Sequence, residues 1–380
     1  MHNAADLNSN ILILQTLVDI NTGTYNYKGI TKCADYIKTL FKNLNCIVTD
    51  HFCSKDSSKL IAISFSKHST TKQNCLFSIH MDTVFDETSS FKTFNHITKT
   101  TASGPGVIDA KGGIVVALNV LNWLESSEFS KKLGWTFIIS TDEEIGSPDS
   151  KALLKKFSQN KDFGLVFEPA LENGNIVSTR PSSANLRLIS HGKSAHSGRH
   201  FSKGINAITA LTSFIESLKL TYYKKNDHII NIGTITGGTR ENIVPDYAYT
   251  DLNIRFNDDS KLTDFCNNLQ TQITHFNSTN KAQLDLNIQS IRPSKPISKK
   301  ASILYDLLEQ AISNCDLNIK TEPSFGVCDG NFIAAENIPV IDTLGPVGTG
   351  MHTENETINL SSIQERSRLT CELIKLYLTQ

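Results

Sequence analysis

Apolar positions along this chain follow two rhythms. Short continuous apolar runs at 60–65, 75–80, 135–140 and 164–167 read as buried strands. Between them, 112–128 carries a broad apolar face and 150–157 a narrower one, and both read as helices. This alternation predicts an α/β sheet covered by helices. The middle of the chain changes character. It predicts a strand at 184–191, a helix at 203–223, strands at 228–235 and 248–256, a helix at 261–276 and a strand at 283–291. That order, β-α-β-β-α-β, is the ferredoxin-like pattern. After Pro293 and Pro296 the signals resume as a helix at 301–314, a strand at 339–343 and a helix at 361–378. The predicted architecture is a discontinuous α/β domain, 1–181 plus 294–380, with a smaller domain inserted at 182–293.

The opening apolar stretch is broken by Gln15 and Asp19 and lacks a basic leader, so it reads as an amphipathic helix and not a secretory signal. No stretch approaches the ~20 apolar residues of a membrane span. Across 380 residues, 37 Lys plus Arg balance 38 Asp plus Glu for a net charge of −1. That balance predicts no nucleic-acid and no membrane partner, because neither polyanion finds a general attraction. The eight cysteines include no CxxC pair, and a chain of this size needs no disulfide staples. They read as reduced thiols of a cytoplasmic protein.

Candidate chemistry collects after the predicted strands. His80 and Asp82 close the 75–82 run, and residues two apart on a strand share a face. One can then ligate a metal while the other steadies the imidazole. Asp109 sits in GPGVIDAKGG, where Gly112 and Gly113 permit close backbone approach at a helix entry. An N-cap is the competing reading for such an Asp. Asp142, Glu143 and Glu144 follow WTFIIS. Three adjacent acids repel one another, and either solvent or a cation must compensate. Glu168 ends VFEPA, and His352 lies in the glycine-rich GPVGTGMHTENE. Strand ends of an open α/β sheet share one crevice. Two histidines and several carboxylates gathered there suit a pair of borderline metals such as Zn²⁺, which activate a shared water for hydrolysis. A flavodoxin-like cofactor binder is the competing fold-level reading, but GPGVIDAKGG lacks the G-x-G-x-x-G spacing.

The segments SIHMDTVF, GPGVIDAKGG, STDEEIGS, VFEPA, HGKSAHSG, GGTRENIVPD and LGPVGTGMHTENE, in that order, resemble the M20 family of di-zinc peptidases and deacylases. The resemblance is to the branch containing glutamate carboxypeptidase, and extends to acetylornithine and succinyl-diaminopimelate deacylases. It implies a three-layer zinc-peptidase-like catalytic domain and an inserted ferredoxin-like lid and dimerisation domain. It implies two Zn²⁺ per chain, with Co²⁺ or Mn²⁺ as substitutes. His80 and Glu168 would hold one, Glu144 and His352 the other, and Asp109 would bridge them. Glu143 would be the general base, Asp82 the orienting acid, and the Asp109–Ala110 peptide would be cis. His196 would stabilise the oxyanion, in cis or across a dimer, and Asn242 and Arg255 would hold the substrate, Arg255 through its carboxylate. Arg180 is a further candidate for that pocket. Gly345, Gly348 and Gly350 would let the last loop approach the substrate. Cys328 stands where relatives carry a small hydroxyl residue.

The implied activity is hydrolysis of an amide bond beside a carboxylate-bearing amino acid, as a carboxypeptidase releasing C-terminal Glu or Asp. The partner is then a small peptide or N-acyl amino acid, with a homodimer through the inserted domain. An N-acyl-amino-acid deacylase, a dipeptidase and a non-catalytic ligand-binding member are the alternatives.

Overall fold

A computed structural model describes residues 7–67, 73–218, 223–225 and 228–380. The chain divides into two compact units. One runs to Thr179 and resumes with Pro296–Ser324 and Cys328–Gln380; the other comprises Arg180–Lys295 and Phe325–Val327. The second is slightly wider than the 182–293 insert. Phe325–Val327 joins it through the Phe325 carbonyl, which accepts from the Arg255 guanidinium.

The first unit is built on a six-stranded sheet in the spatial order Ile47–Cys53, Asp56–Lys67, Gly134–Ser140, Asn74–His80, Phe163–Val166, Val340–Ile341. Asp56–Lys67 is antiparallel to both of its neighbours, and the last four strands run parallel. Gly134–Ser140 is buried at every position, as expected of a central strand covered on both faces. The helix Lys111–Ser126 buries most of its circumference. Its Ile114, Val115 and Leu118 share a core with Phe77 of the sheet, with Phe167 just past a strand end, and with Leu369 and Leu373 of the last helix, Ser361–Leu378. Layers of helix, sheet and helix follow.

The second unit is ferredoxin-like. Its sheet places His228–Gly237, Tyr247–Phe256, Ser182–His191 and Gln283–Arg292 side by side, all antiparallel. In order of appearance these are strands two, three, one and four. Burial alternates with a period of two along Ser182–His191 and Tyr247–Phe256. Their inward residues pack on the helices Ala207–Ser217 and Asp259–Thr279. The other face stays polar: Arg187 makes a two-pronged pair with Asp251 at 2.7 and 2.9 Å and lies over the Tyr249 ring.

The helix expected at 203–223 is shorter. Phe201–Lys203 forms a single tight turn, and the helix begins after Asn206, whose side chain accepts the Thr209 N–H. It ends at Ser217, and Tyr223–Lys225 instead pairs with 228–230 as a strand. Positions 219–222 of the expected helix lie outside the described residues. No described helix is long and apolar enough to cross a membrane.

Candidate metal centre

Parallel pairing brings His80 beside Ser140 and Ser78 beside Val166. The segments that follow these strands, carrying Asp82, Glu143, Glu144 and Glu168, therefore leave from one edge of the sheet. Asp109 and His352 arrive differently. Both hang from a small sheet in which Thr357–Asn359 pairs with Thr101–Ser103. Asp109 closes the loop after Thr101–Ser103, and His352 caps the hairpin before Thr357–Asn359, with a left-handed φ of 63°.

The two oxygens of Asp109 face different histidines. Oδ1 lies 3.1 Å from His80 Nε2, and Oδ2 lies 3.0 Å from His352 Nε2. Each histidine has a glutamate of its own. Glu168 Oε2 is 3.7 Å from His80 Nε2, and Glu144 Oε2 is 3.2 Å from His352 Nε2. His80, Asp109, Glu144 and Glu168 are buried side chains, whereas His352 is 56% exposed. The Asp109–Ala110 peptide is cis.

Asp82 organises this group from beneath. His80 Nδ1 lies 3.0 Å from the Asp82 carbonyl and 3.4 Å from Asp82 Oδ1, which accepts the Glu143 N–H at 3.2 Å. Asp82 Oδ2 accepts the Glu144 N–H at 3.2 Å and the Thr24 hydroxyl at 2.8 Å. Asp142 belongs elsewhere. Its carboxylate turns back to accept the N–H groups of Asp149 and Ser150, so it shapes the loop. The three-acid repulsion reduces to Glu143 and Glu144.

Charge is concentrated here. Burial pushes the Glu144 carboxyl up to about 7, partly offset by its bond to His352 and reinforced by Asp109. Burial also raises Glu168, against the pull of His80. Bonds to Asp109 and Glu144 lift the His352 imidazole to about 10. Burial disfavours the His80 imidazolium, but Glu168, Asp109 and Asp82 together raise it well above its ordinary value. Burial opposes ionisation of Asp109, yet the two imidazoles hold it below the usual carboxylate range. The carboxylates thus favour the imidazolium forms of both histidines, while burial makes Glu144 and Glu168 costly to ionise.

The residues fit a divalent cation. Ligand atoms of His80, Asp109 and Glu144 lie within 4.8 Å of one another. Glu168 Oε1 is buried with no hydrogen-bond partner, an expense that a cation would relieve. The donors are imidazole nitrogens and carboxylate oxygens, the set that suits borderline divalent metals.

The other expected residues lie in the second unit. His196 pairs with Ile243 in a two-residue ladder, and the Asn242 carbonyl accepts the Ser197 N–H. His196 and Asn242 are therefore neighbours, and both are exposed. Nδ1 of His196 accepts the N–H groups of Gly198 and Arg199 at 3.1 and 3.3 Å. A neutral ring must then carry its proton on Nε2. Arg255 stands opposite Ser183 in the sheet, and Arg292 stands opposite Ser183 from the other side. Directly opposed residues share a face. Burial, then the charges of Arg292 and Arg180, depress the Arg255 guanidinium, which places three cations in one region of this unit.

The glycines of the last loop lie against the protein's own backbone. A Cβ at Gly345 would meet the carbonyls of Phe167 and Glu168 at 2.4 and 2.6 Å, and one at Gly348 would meet Thr357 O at 1.9 Å. Gly350 has a φ of 75°, which disfavours any side chain. Cys328 is buried, accepts the Gly330 N–H at 3.3 Å and lies 3.9 Å from Asp342 Oδ2.

Sequence reasoning passed over three residues. Arg292 lies one residue past the predicted 283–291 strand and joins the observed one opposite Ser183. Asp329 accepts from Ser140 at 2.9 Å and from Ser147, pinning both ends of the loop that bears Glu143 and Glu144. Glu356, four residues beyond His352, accepts backbone N–H groups of the Asp109 loop. Neither acid announces itself by spacing.

A layered α/β unit that gathers two histidines and three carboxylates, from its strand ends and from a small neighbouring sheet, defines a metal-dependent hydrolase. Residues 76–376 match Peptidase family M20/M25/M40, and the chain belongs to that family. It is 26% identical over 373 residues to carboxypeptidase G2 of Pseudomonas sp. (strain RS-16), covering 96% of this chain and 88% of that one. It is 25% identical over 301 residues to the succinyl-diaminopimelate desuccinylase of Ehrlichia ruminantium (strain Welgevonden), covering 74% of each. Among solved structures, aminopeptidase PepT from Bacillus cereus ATCC 10987 superposes with a TM-score of 0.79 at 20% identity, covering 99% of each chain. The YXEP protein of Bacillus subtilis, described as a dinuclear metal binding peptidase of the M20 family, gives 0.70 at 16% identity, covering 98% of each. The protein is an M20 hydrolase.

Proposed function

We propose that this enzyme is a carboxypeptidase that hydrolyses the amide bond preceding a C-terminal acidic amino acid, with two Zn²⁺ per chain. One observation carries the reading. Asp109 divides its two oxygens between two histidines, each supplied with its own glutamate. His80 and Glu168 would hold one ion, His352 and Glu144 the second, and Asp109 both. Bound there, the ions would polarise the scissile carbonyl and acidify a shared water.

The chain's own groups supply the rest. Glu143 takes a proton from the attacking water and delivers it to the departing amine nitrogen. Asp82 fixes the Glu143 backbone and the His80 ring. His196, with its proton on Nε2, donates to the oxyanion. Arg255 receives the substrate carboxylate through its guanidinium fork, Arg180 and Arg292 reinforce the positive field, and Asn242 helps hold the substrate. A homodimer through the second unit fits the outer edge of His228–Gly237. Among the described residues that edge pairs at 228–230, and an edge strand is a template for pairing with a second copy. Eight free cysteines suit a reducing, cytoplasmic setting.

The similarity to a desuccinylase favours one other reading, an N-acyl-amino-acid deacylase acting on the same bond type. Measuring kcat/KM on folate-like and peptidyl glutamates, N-acyl amino acids and dipeptides separates these. The proposal requires the highest value for C-terminal glutamate or aspartate. A higher value for acetyl or succinyl amino acids overturns it in favour of the deacylase.

A further inference from the structure

The carboxylate of Glu356 is wholly buried, and its hydrogen bonds among the described residues come from backbone, with the Lys111 ammonium interacting only through space. It is spent on backbone. Oε1 accepts the N–H groups of Ile108 and Asp109 at 2.8 and 3.1 Å, and Oε2 accepts that of Gly106 at 3.0 Å. These donors lie 247 to 250 residues away in sequence. A charged acceptor serving three amides is about twice as strong per bond as a neutral one. Desolvating a carboxylate is costly, so an ordinary loop staple would be built more cheaply from a neutral side chain.

The placement of Glu356 gives the expense a purpose. Its own N–H is held by Thr353 O, and the Thr353 N–H by Gly350 O, so the turn carrying His352 is tied directly to Glu356. The next residue, Thr357, is in register with Ser103 at the start of the Asp109 loop. One short segment therefore presents the His352 imidazole and grips the peptide N–H of Asp109, whose Oδ2 faces that imidazole at 3.0 Å.

We infer that Glu356 is a positioning residue for the dinuclear centre, setting the separation of Asp109 and His352 so that both can bind the same ion. This rests on the two-metal reading of the preceding subsection. Glu356 touches no reacting atom, and its effect passes through the backbone of one ligand and the hairpin of another.

The test is Co²⁺ binding to metal-stripped full-length protein, by chelator competition and by the visible absorption of the loaded site. Glu356→Ala loses all three acceptor contacts. Glu356→Gln can keep an oxygen on Ile108 and Asp109 but sets an amide donor against the Gly106 N–H. Loss of such a supporting contact typically weakens metal binding about 10–100-fold. Glu356→Ala is expected to fall in that range with an altered Co²⁺ spectrum, Glu356→Gln to lie between it and wild type, and kcat to drop while KM holds. If Glu356→Ala does not fold, Glu356→Gln decides. Variants that melt earlier but bind Co²⁺ with wild-type affinity and spectrum would overturn the inference and leave Glu356 a structural staple. A wild-type protein that binds no pair of ions would instead overturn the two-metal reading itself.

Discussion

Asp82 accepts the backbone N–H of Glu143 at 3.2 Å, so the group that steadies the His80 ring also fixes the residue assigned as general base. One buried side chain thereby couples a ligand to the base. Asp82→Ala should lower metal affinity by about 10–100-fold, the usual cost of losing a ligand's supporting acid. It should also lower kcat at saturating metal, because the Glu143 turn loses its anchor. Chelator competition and steady-state kinetics on the same preparation check both effects. A fall in affinity with unchanged kcat at saturation would uncouple the two roles.

Glu143→Gln keeps the shape of the turn and removes the base. Metal content should stay at the wild-type level while kcat falls by about 10²–10⁴-fold, the range typical of general-base catalysis. A metal-loaded variant with near wild-type kcat would remove Glu143 from the mechanism.

Gly345 lies against the backbone that carries Glu168. A methyl group there would sit 2.4 Å from Phe167 O and 2.6 Å from Glu168 O. Gly345→Ala must displace one segment. We expect destabilisation of about 1–3 kcal/mol, the common cost of overpacking, together with weaker metal retention. Thermal melts and metal analysis should move together.

The metal-free protein should lose stability as pH rises. His352 is raised to about 10 from 6.5, so its contribution is complete below about pH 6.5 and is lost through pH 10. Burial lifts Glu144 from 4.5 to about 7, so its ionisation costs stability between those values. In both cases the folded state binds more protons than the unfolded one, and the slope is negative. Melting temperatures of chelator-treated protein should therefore fall from pH 5 to pH 9. Bound cations displace the imidazole protons, so the loaded protein should not show this decline.

His80, Glu144 and Glu168 were legible in sequence because each follows a strand whose apolar run marks its end, and parallel register makes those three distant segments neighbours. Asp109 and His352 follow no such run and hang from the small antiparallel sheet. The assignment of His80 with Glu168 and of His352 with Glu144 came from the family resemblance, and the distances group the side chains in the same way. Legibility fails where recognition runs through backbone. Glu356 and Asp329 bind amides and hydroxyls brought to them only by the fold, so no spacing reveals them. The strand Ile47–Cys53 was also silent, because its outward positions are largely exposed and supply no apolar run. The helix at 203–223 was overextended because an apolar face continues across Asn206, and only the capping bond shows where the chain turns.

The central claim is that two ions share Asp109. Elemental analysis of the purified protein, coupled to amide hydrolysis during stepwise return of Zn²⁺ to the chelated enzyme, tests it directly. The account predicts about two divalent ions per chain, as for a two-metal hydrolase, and in Asp109→Asn the loss of both occupancy and turnover. Full activity in metal-stripped protein, or undiminished binding of both ions by Asp109→Asn, would contradict it.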